Sequence, residues 1–312
     1  MTKFHEPVLR EKVFQYLIVM EEGLIVDGTL GDGGHAEFIL QNTGPRLKVL
    51  GIDRDANALV RAKKRLGPFG DRVTFAHGNY SEIQNLLEKF HIKKIDGLLL
   101  DLGFSGPQID SAERGFSFMR NGPLDMRMDL SQEITAAKLL KTLSDRELET
   151  VIRDYGEERH YKKIVRAIRN AQAISPISTT FQLSKILSGA LYSKRPAKIH
   201  PATRTFQALR IAVNRELTHL KTALQDSLGV LNAGARLVTI TFHSLEDRIV
   251  KNFFQYEEKN CICPPRVPIC VCGKKSTLKI ITKKVITPDE EEAARNPRSS
   301  SAKMRVAERV YV

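Results

Sequence analysis

At 312 residues the chain has room for one large domain or two modest ones, and 42% hydrophobic residues let it bury a core. No apolar run is long enough to span a bilayer, and the N-terminus lacks a signal peptide's basic-then-apolar pattern, so a cytoplasmic protein is expected. The net charge of +13 is placed unevenly: twelve Lys and Arg and no acid lie from Arg159 to Arg215, a polyanion footprint that suits nucleic acid better than a membrane surface.

The predicted elements begin with alternation. Strands are read at Leu24–Asp27, Val49–Asp53, Val73–Ala76 and Gly97–Leu102, and helices at Gly34–Gln41, Ala56–Leu66 and Glu82–Phe90. Ser81 and Gln84 read as a capping box for the third of these helices. Such alternation predicts a parallel sheet with helices on both faces. It stops near Gly106. Pro107 to Asp129 reads as a long loop, followed by helices near Gln132–Lys141, Asp145–Tyr155, Arg159–Ala173 and Thr180–Ala190, with Ser144 and Glu147 capping the second. A helical insertion in an α/β domain follows, with boundaries at 1–106 plus 211–312 for the α/β part and 107–210 for the insertion. A long helix is then expected from Val213, Leu217, Leu220, Leu224, Leu228 and Leu231, broken by Asn232 to Ala235. Arg236–Phe242 reads as a buried strand, and Ser244 with Asp247 as the cap of a helix to about Tyr256. Leu278–Ile286 and Arg305–Val312 are read as an antiparallel pair at the sheet edge.

The chemistry gathers at strand ends. Asp27-Gly-Thr-Leu-Gly-Asp-Gly-Gly-His35 follows the first strand and opens a helix, and Gly31-x-Gly33-x-x-Ala36 matches a dinucleotide fingerprint in its permissive form. Asp53 ends the second strand, where an acid takes ribose hydroxyls, although Asp53 or Asp55 also suits a helix N-cap. Three details favour S-adenosylmethionine over NAD. Asp27 would repel a pyrophosphate yet accept hydrogen bonds near a methionine ammonium. Tyr80 after the third strand can pack on adenine. Asp101 ends the fourth strand beside the cofactor. An NAD-dependent dehydrogenase leaves the basic insertion unexplained, and a non-catalytic RNA-binding protein leaves the glycine turn idle. Of the four cysteines, Cys261-x-Cys263 and Cys270-x-Cys272 hold one residue inside each pair where structural zinc sites usually hold two to four. A loop of reduced thiols without metal is therefore the favoured reading over a zinc site.

The chain resembles the RsmH (MraW) family of bacterial small-subunit 16S rRNA (cytosine-N4)-methyltransferases. The resemblance rests on His5 to Leu9, Asp27 to His35, Gly51 to Asp55, Asp101 to Asp110, Arg114 to Phe118, Gly122 to Asp129, His200 to Arg210 and Phe242 to Arg248. It implies a Rossmann-like class I S-adenosylmethionine methyltransferase sheet with an inserted all-helical domain. It also implies methylation of a decoding-site cytosine within the small ribosomal subunit, with S-adenosylmethionine as cofactor. By the same resemblance Gly33, Gly34, His35, Asp53, Tyr80, Asp101 and Gln108 contact that cofactor. Phe104, Gly106 and Ser300 depart from the family's usual aliphatic, serine and arginine. Asp101 is the candidate catalytic acceptor for the N4 proton, with cofactor contact as its competing role. Phe104, Phe116 and Phe118 are candidate stacking surfaces for a flipped base. Lys162, Lys163, Arg166 and Arg204 in the insertion are expected to hold rRNA, and His243 to touch base or phosphate or else to orient its turn. The sequence leaves the oligomeric state open, a dimer included.

Overall fold

The computed structural model describes residues 6–192, 199–264 and 269–310. Its strands are β1 (Gly23–Asp27), β2 (Leu47–Asp53), β3 (Val73–His77), β4 (Ile95–Asp101), β5 (Leu231–Thr241), β6 (Leu278–Ile280) and β7 (Lys303–Arg309). They form one sheet in the order β3-β2-β1-β4-β5-β7-β6. The first five run parallel, while β7 pairs antiparallel with both β5 and β6. The chain steps outward from β1 to β3, then returns to place β4 on the other side of β1. That reversal opens a crevice at the carboxyl ends of β1 and β4, where open α/β sheets take their ligands.

The chain divides into two compact units, one of residues up to Gly103 and from Leu217 onward, the other Phe104–Glu216. In the first, strand side chains alternate between two apolar layers. Val26, Leu50, Ile52, Leu98, Leu100 and Leu237 face one layer with the helices Ile83–Lys89, Glu216–Val230 and Ser244–Glu258. Ile25, Leu47, Val49, Leu99, Val238 and Ile240 face the other with Arg10–Leu17, Gly34–Gln41 and Ala56–Leu66. Near-continuous apolar strands are what a sheet covered on both faces requires. The second unit packs Leu140, Leu148, Ile152, Ile164, Leu183 and Phe206 into its own core. Among its described residues the β structure is a single bridge, Pro123 to Thr179.

Several local expectations are corrected. Asn79, not Ser81, starts the turn before Ile83–Lys89: its side chain accepts from Ser81 N–H, and Glu82 answers from the other side of the box. Gln84 instead reaches the carbonyl of Asp226 at 3.4 Å. His243, not Ser244, is the N-cap of Ser244–Glu258, and Asp247 is spent on Arg305 at 2.7 Å. The long apolar stripe is two helices, Thr203–Asn214 and Glu216–Val230, parted at Arg215 with φ 50°. Asn232 to Ala235 lies inside β5 as an irregularity: Leu231 pairs with Ile95, and Arg236 already pairs with Gly97. The late strands do form the expected antiparallel pair at the sheet edge, with β7 the inner of the two, but β6 ends at Ile280 rather than Ile286. The expected loop from Pro107 contains the short helix Gly106–Asp110, opened by a Ser105–Gln108 capping box. His5, Lys194, Arg195, Lys198, Tyr311 and Val312 lie outside the described residues.

Candidate active site

The turn after β1 is built by backbone bonds between strands. Gly28 N–H donates to Leu99 O at 2.9 Å and Leu30 N–H to Ile52 O at 2.9 Å, so the loop is tied to both neighbours of β1. Gly33 then takes φ +80° as the N-cap of Gly34–Gln41, and a Cβ there would lie 2.9 Å from Leu66 Cδ1. Left-handed backbone and a tight neighbour together require glycine. A Cβ on Gly34 would meet the Pro7 ring at 3.2 Å, which places the N-terminal Glu-Pro segment against this turn.

Four acidic or basic side chains converge here. Asp27 is 1% exposed; its Oδ1 accepts from Thr29 N–H at 3.2 Å, and its Oδ2 has no hydrogen-bond partner among the described residues. Burial pushes its carboxyl up to about 6, with His35 opposing and Asp101 and Asp53 adding to the rise. His35 is buried on the first turn of its helix, with Nε2 3.4 Å from Asp101 Oδ2, a long contact. Asp101 Oδ1 is buried and also lacks a partner among the described residues. Its main-chain N–H is fixed on Thr29 Oγ1 at 2.7 Å. Thr29 thus joins the ends of β1 and β4, a bridge that sequence reasoning missed. The bond spans 72 positions, and a lone hydroxyl between glycines carries no pattern that would reveal it.

Asp53 closes the loop from β2. Its Oδ2 accepts from Gly31 N–H at 2.7 Å and its Oδ1 from Asp55 N–H at 2.8 Å. Burial raises its carboxyl above the usual range, and those two bonds resist the rise. Asp55 is the true N-cap of Ala56–Leu66, accepting from Asn57 N–H at 3.0 Å. Tyr80 is 8% exposed in the apolar layer of β1 and β4, and its Cβ would be 3.2 Å from a Cβ placed on Gly28. His243 is turned inward, its side chain 8% exposed and Nε2 3.1 Å from the buried Glu246 Oε1.

The second unit holds the remaining candidates. Gln108 is buried, and its Oε1 accepts from Ser105 N–H at 3.0 Å. Phe116 is 9% exposed, and Phe118 stacks on His200 at 4.5 Å. Phe104, 37% exposed, keeps an open face and packs on Phe116 and the Arg210 guanidinium. Gly122 to Asp129 is a pinned strap. Arg114 donates to the carbonyls of Arg127 and Met128, and Asn214 bonds Met128 N–H and Met126 O. A Cβ on Gly122 would collide with the Ala112 carbonyl oxygen. Lys162, Lys163 and Arg166 are exposed on Tyr161–Gln172, opposite the buried Ile164, Val165 and Ile168. Not all of the basic run is free. Arg169 is held by Asp145 at 2.6 Å, Arg210 by Glu216 at 2.9 Å, and Arg204 lies 3.7 Å from Glu158.

The strand order, with one antiparallel strand set between β5 and the edge, defines a Rossmann-like class I S-adenosylmethionine methyltransferase when joined to the glycine turn and the acids ending β1, β2 and β4. The buried acceptor of Asp27 fits a cofactor with an ammonium better than one with a pyrophosphate. A model of the MraW methylase family matches residues 2–310, and the chain belongs to that family. Proteins called ribosomal RNA small subunit methyltransferase H are close relatives. That of Syntrophus aciditrophicus (strain SB) is 49% identical over 308 residues, 98% of each chain. That of Halothermothrix orenii is 48% identical over 307 residues, again 98% of each.

Proposed function

We propose that this methyltransferase acts on 16S rRNA of the small ribosomal subunit, at the exocyclic N4 of a decoding-site cytosine. One observation carries the choice of an amino group as acceptor. Asp101 Oδ1 is a buried acceptor without a partner among the described residues, at the strand end where ligands bind. The lone pair of a cytosine amino group is delocalised into the ring. An acceptor on one of its N–H bonds favours the pyramidal, nucleophilic form, and a carboxylate there can take the proton after transfer. S-adenosylmethionine, when bound, supplies a methyl group activated by its sulfonium.

Gly33, Gly34 and His35 form the turn that would cradle this donor, with Asp53, Tyr80 and Gln108 as further contacts. Asp53 keeps free lone pairs for ribose hydroxyls after its two backbone bonds. The open face of Phe104 suits a base that has left its stack. Lys162, Lys163, Arg166 and Arg204 are assigned to the rRNA backbone. His243, paired with buried Glu246, is given a positioning role at the end of β5. Among the described residues no helix is long and apolar enough to cross a membrane. We place the protein in the cytoplasm with its ribosomal substrate.

The test is incubation with labelled S-adenosylmethionine and small subunits lacking the modification, followed by nucleoside analysis. Label in N4-methylcytidine is expected. Transfer to no form of the subunit removes the reading.

A further inference from the structure

Between the helix Ser244–Glu258 and β6 lies a segment without helix or strand among its described residues. Among its described residues, the large apolar side chains are exposed: Ile262 44%, Ile269 75% and Val271 81%. Hydrophobic packing therefore does not give this loop its shape. Its base is closed by polar bonds. Thr277 N–H donates to Glu257 O at 2.9 Å, Ser276 N–H to Asn260 Oδ1 at 3.1 Å and Ile280 N–H to Glu258 Oε1 at 2.8 Å. Beyond that base, all four cysteines of the chain turn their sulfurs to one point.

The Sγ–Sγ distances are 3.4 Å for Cys261–Cys270, 3.5 Å for Cys270–Cys272, 3.8 Å for Cys261–Cys272 and 3.9 Å for Cys263–Cys270. All four sulfurs lie within 4.8 Å of one another. Disulfides would hold two pairs at ~2.05 Å, and these four separations are all far longer. A tetrahedral ion with zinc–sulfur bonds near 2.3 Å sets its sulfurs about 3.8 Å apart, within the observed range. Two backbone donors point at the same sulfurs: Ile262 N–H to Cys272 Sγ and Cys263 N–H to Cys261 Sγ, both at 3.4 Å. Such N–H bonds stabilise thiolates and orient them around a metal. The one-residue spacing that counted against zinc is what brings Cys263 N–H onto Cys261 Sγ.

We propose that Cys261, Cys263, Cys270 and Cys272 form a structural tetrathiolate site for one zinc ion. It clips the loop to the helix Ser244–Glu258 and steadies β6 at the sheet edge. Binding replaces four S–H protons, released to solvent, with four zinc–sulfur bonds. The resulting doubly negative centre is flanked in sequence by Lys259, Lys274 and Lys275. Its four ligands leave no open position, so the ion has no part in methyl transfer.

The experiment is metal analysis of the full chain purified without chelator, with its thiols kept reduced. About one zinc per chain is expected, falling to about a tenth or less in Cys270→Ser and in Cys263→Ser. Unchanged S-adenosylmethionine affinity in both variants would show that the sheet remains folded. Metal removal with a mercurial, then reduction, should speed tryptic cleavage at Lys259 and Lys275, and added Zn²⁺ should restore protection. Metal-free native protein that takes up no Zn²⁺ overturns the proposal, as do two disulfides in the native protein or one iron in place of zinc.

Discussion

Asp27 and Asp101 stand at the ends of adjacent strands, each with one buried oxygen awaiting a donor. For Asp27 the consequence is a pH dependence. Its folded carboxyl titrates at about 6, above the ordinary carboxylate value, because burial disfavours the charge. The free protein therefore loses stability from this group as pH rises from about 4 to about 6, since the folded state then binds more protons than the unfolded one. A ligand ammonium needs the ionised form, so the sign reverses for binding. S-adenosylmethionine affinity should fall up to about tenfold per pH unit below about 6, and Asp27→Asn should bind weakly with a flat profile. Calorimetric titration across that range decides; a flat wild-type profile would detach Asp27 from the ammonium. For Asp101, Asn keeps the shape and removes the proton acceptor. Asp101→Asn should lower kcat about 10²- to 10⁴-fold with little change in S-adenosylmethionine affinity, measured by single-turnover methylation of small subunits. Intact turnover would leave Asp101 a cofactor contact. Both acids were legible in the sequence because strand ends are legible. Thr29 and the Asp101–His35 approach were not, since nothing local records which distant residue a hydroxyl or imidazole will meet.

At the scale of elements, two basic residues on one helix have opposite tasks. Tyr161–Gln172 buries Ile164, Val165 and Ile168 and leaves Lys162, Lys163 and Arg166 outward. Arg169, on the same helix, donates to the carbonyls of Leu140 and Leu143 and to Asp145. Those carbonyls end the helix Ala136–Thr142, so Arg169 caps a neighbour. Arg169→Ala should cost about 1–3 kcal/mol in chemical denaturation, because it strands charge-assisted bonds. Changing Lys162 should leave stability within about 0.5 kcal/mol. Charge counting along the sequence treats the two alike; only the fold separates them, since Asp145 lies 24 positions away. The same limit explains the other misplaced elements. Period and apolar runs located the first four strands to within two residues at each end, and the helices Gly34–Gln41 and Ala56–Leu66 without error. The edge pair is legible as such, but which of its two strands adjoins β5 depends on pairings dozens of residues apart, which no local pattern carries. The break at Arg215 was hidden because the apolar stripe runs through it.

At the scale of the molecule, the charge of +13 is a statement about partners. Three arginines of the acid-free run, Arg169, Arg204 and Arg210, have acids within 4 Å drawn from outside it. Arg159, Lys162, Lys163, Arg166, Lys185 and Arg215 are exposed. If each of these six meets a phosphate, rRNA affinity should fall with log salt at a slope of about −4 for single strands to about −5 for duplex. Neutralising Lys162, Lys163 and Arg166 to Gln should flatten that slope by about 2 to 3 and weaken binding at low salt. At the site proposed for it, at strand ends of the other unit, S-adenosylmethionine would be held by a few hydrogen bonds and one net charge, so its affinity should barely follow salt and should not sense the triple substitution. Binding of helix-containing rRNA fragments and of labelled S-adenosylmethionine, each measured over a salt series on wild type and variant, tests both halves together. A triple variant with an unchanged slope would move the RNA surface off Tyr161–Gln172. One that loses both affinities would show that these side chains support the fold, as Arg169 does, rather than the substrate.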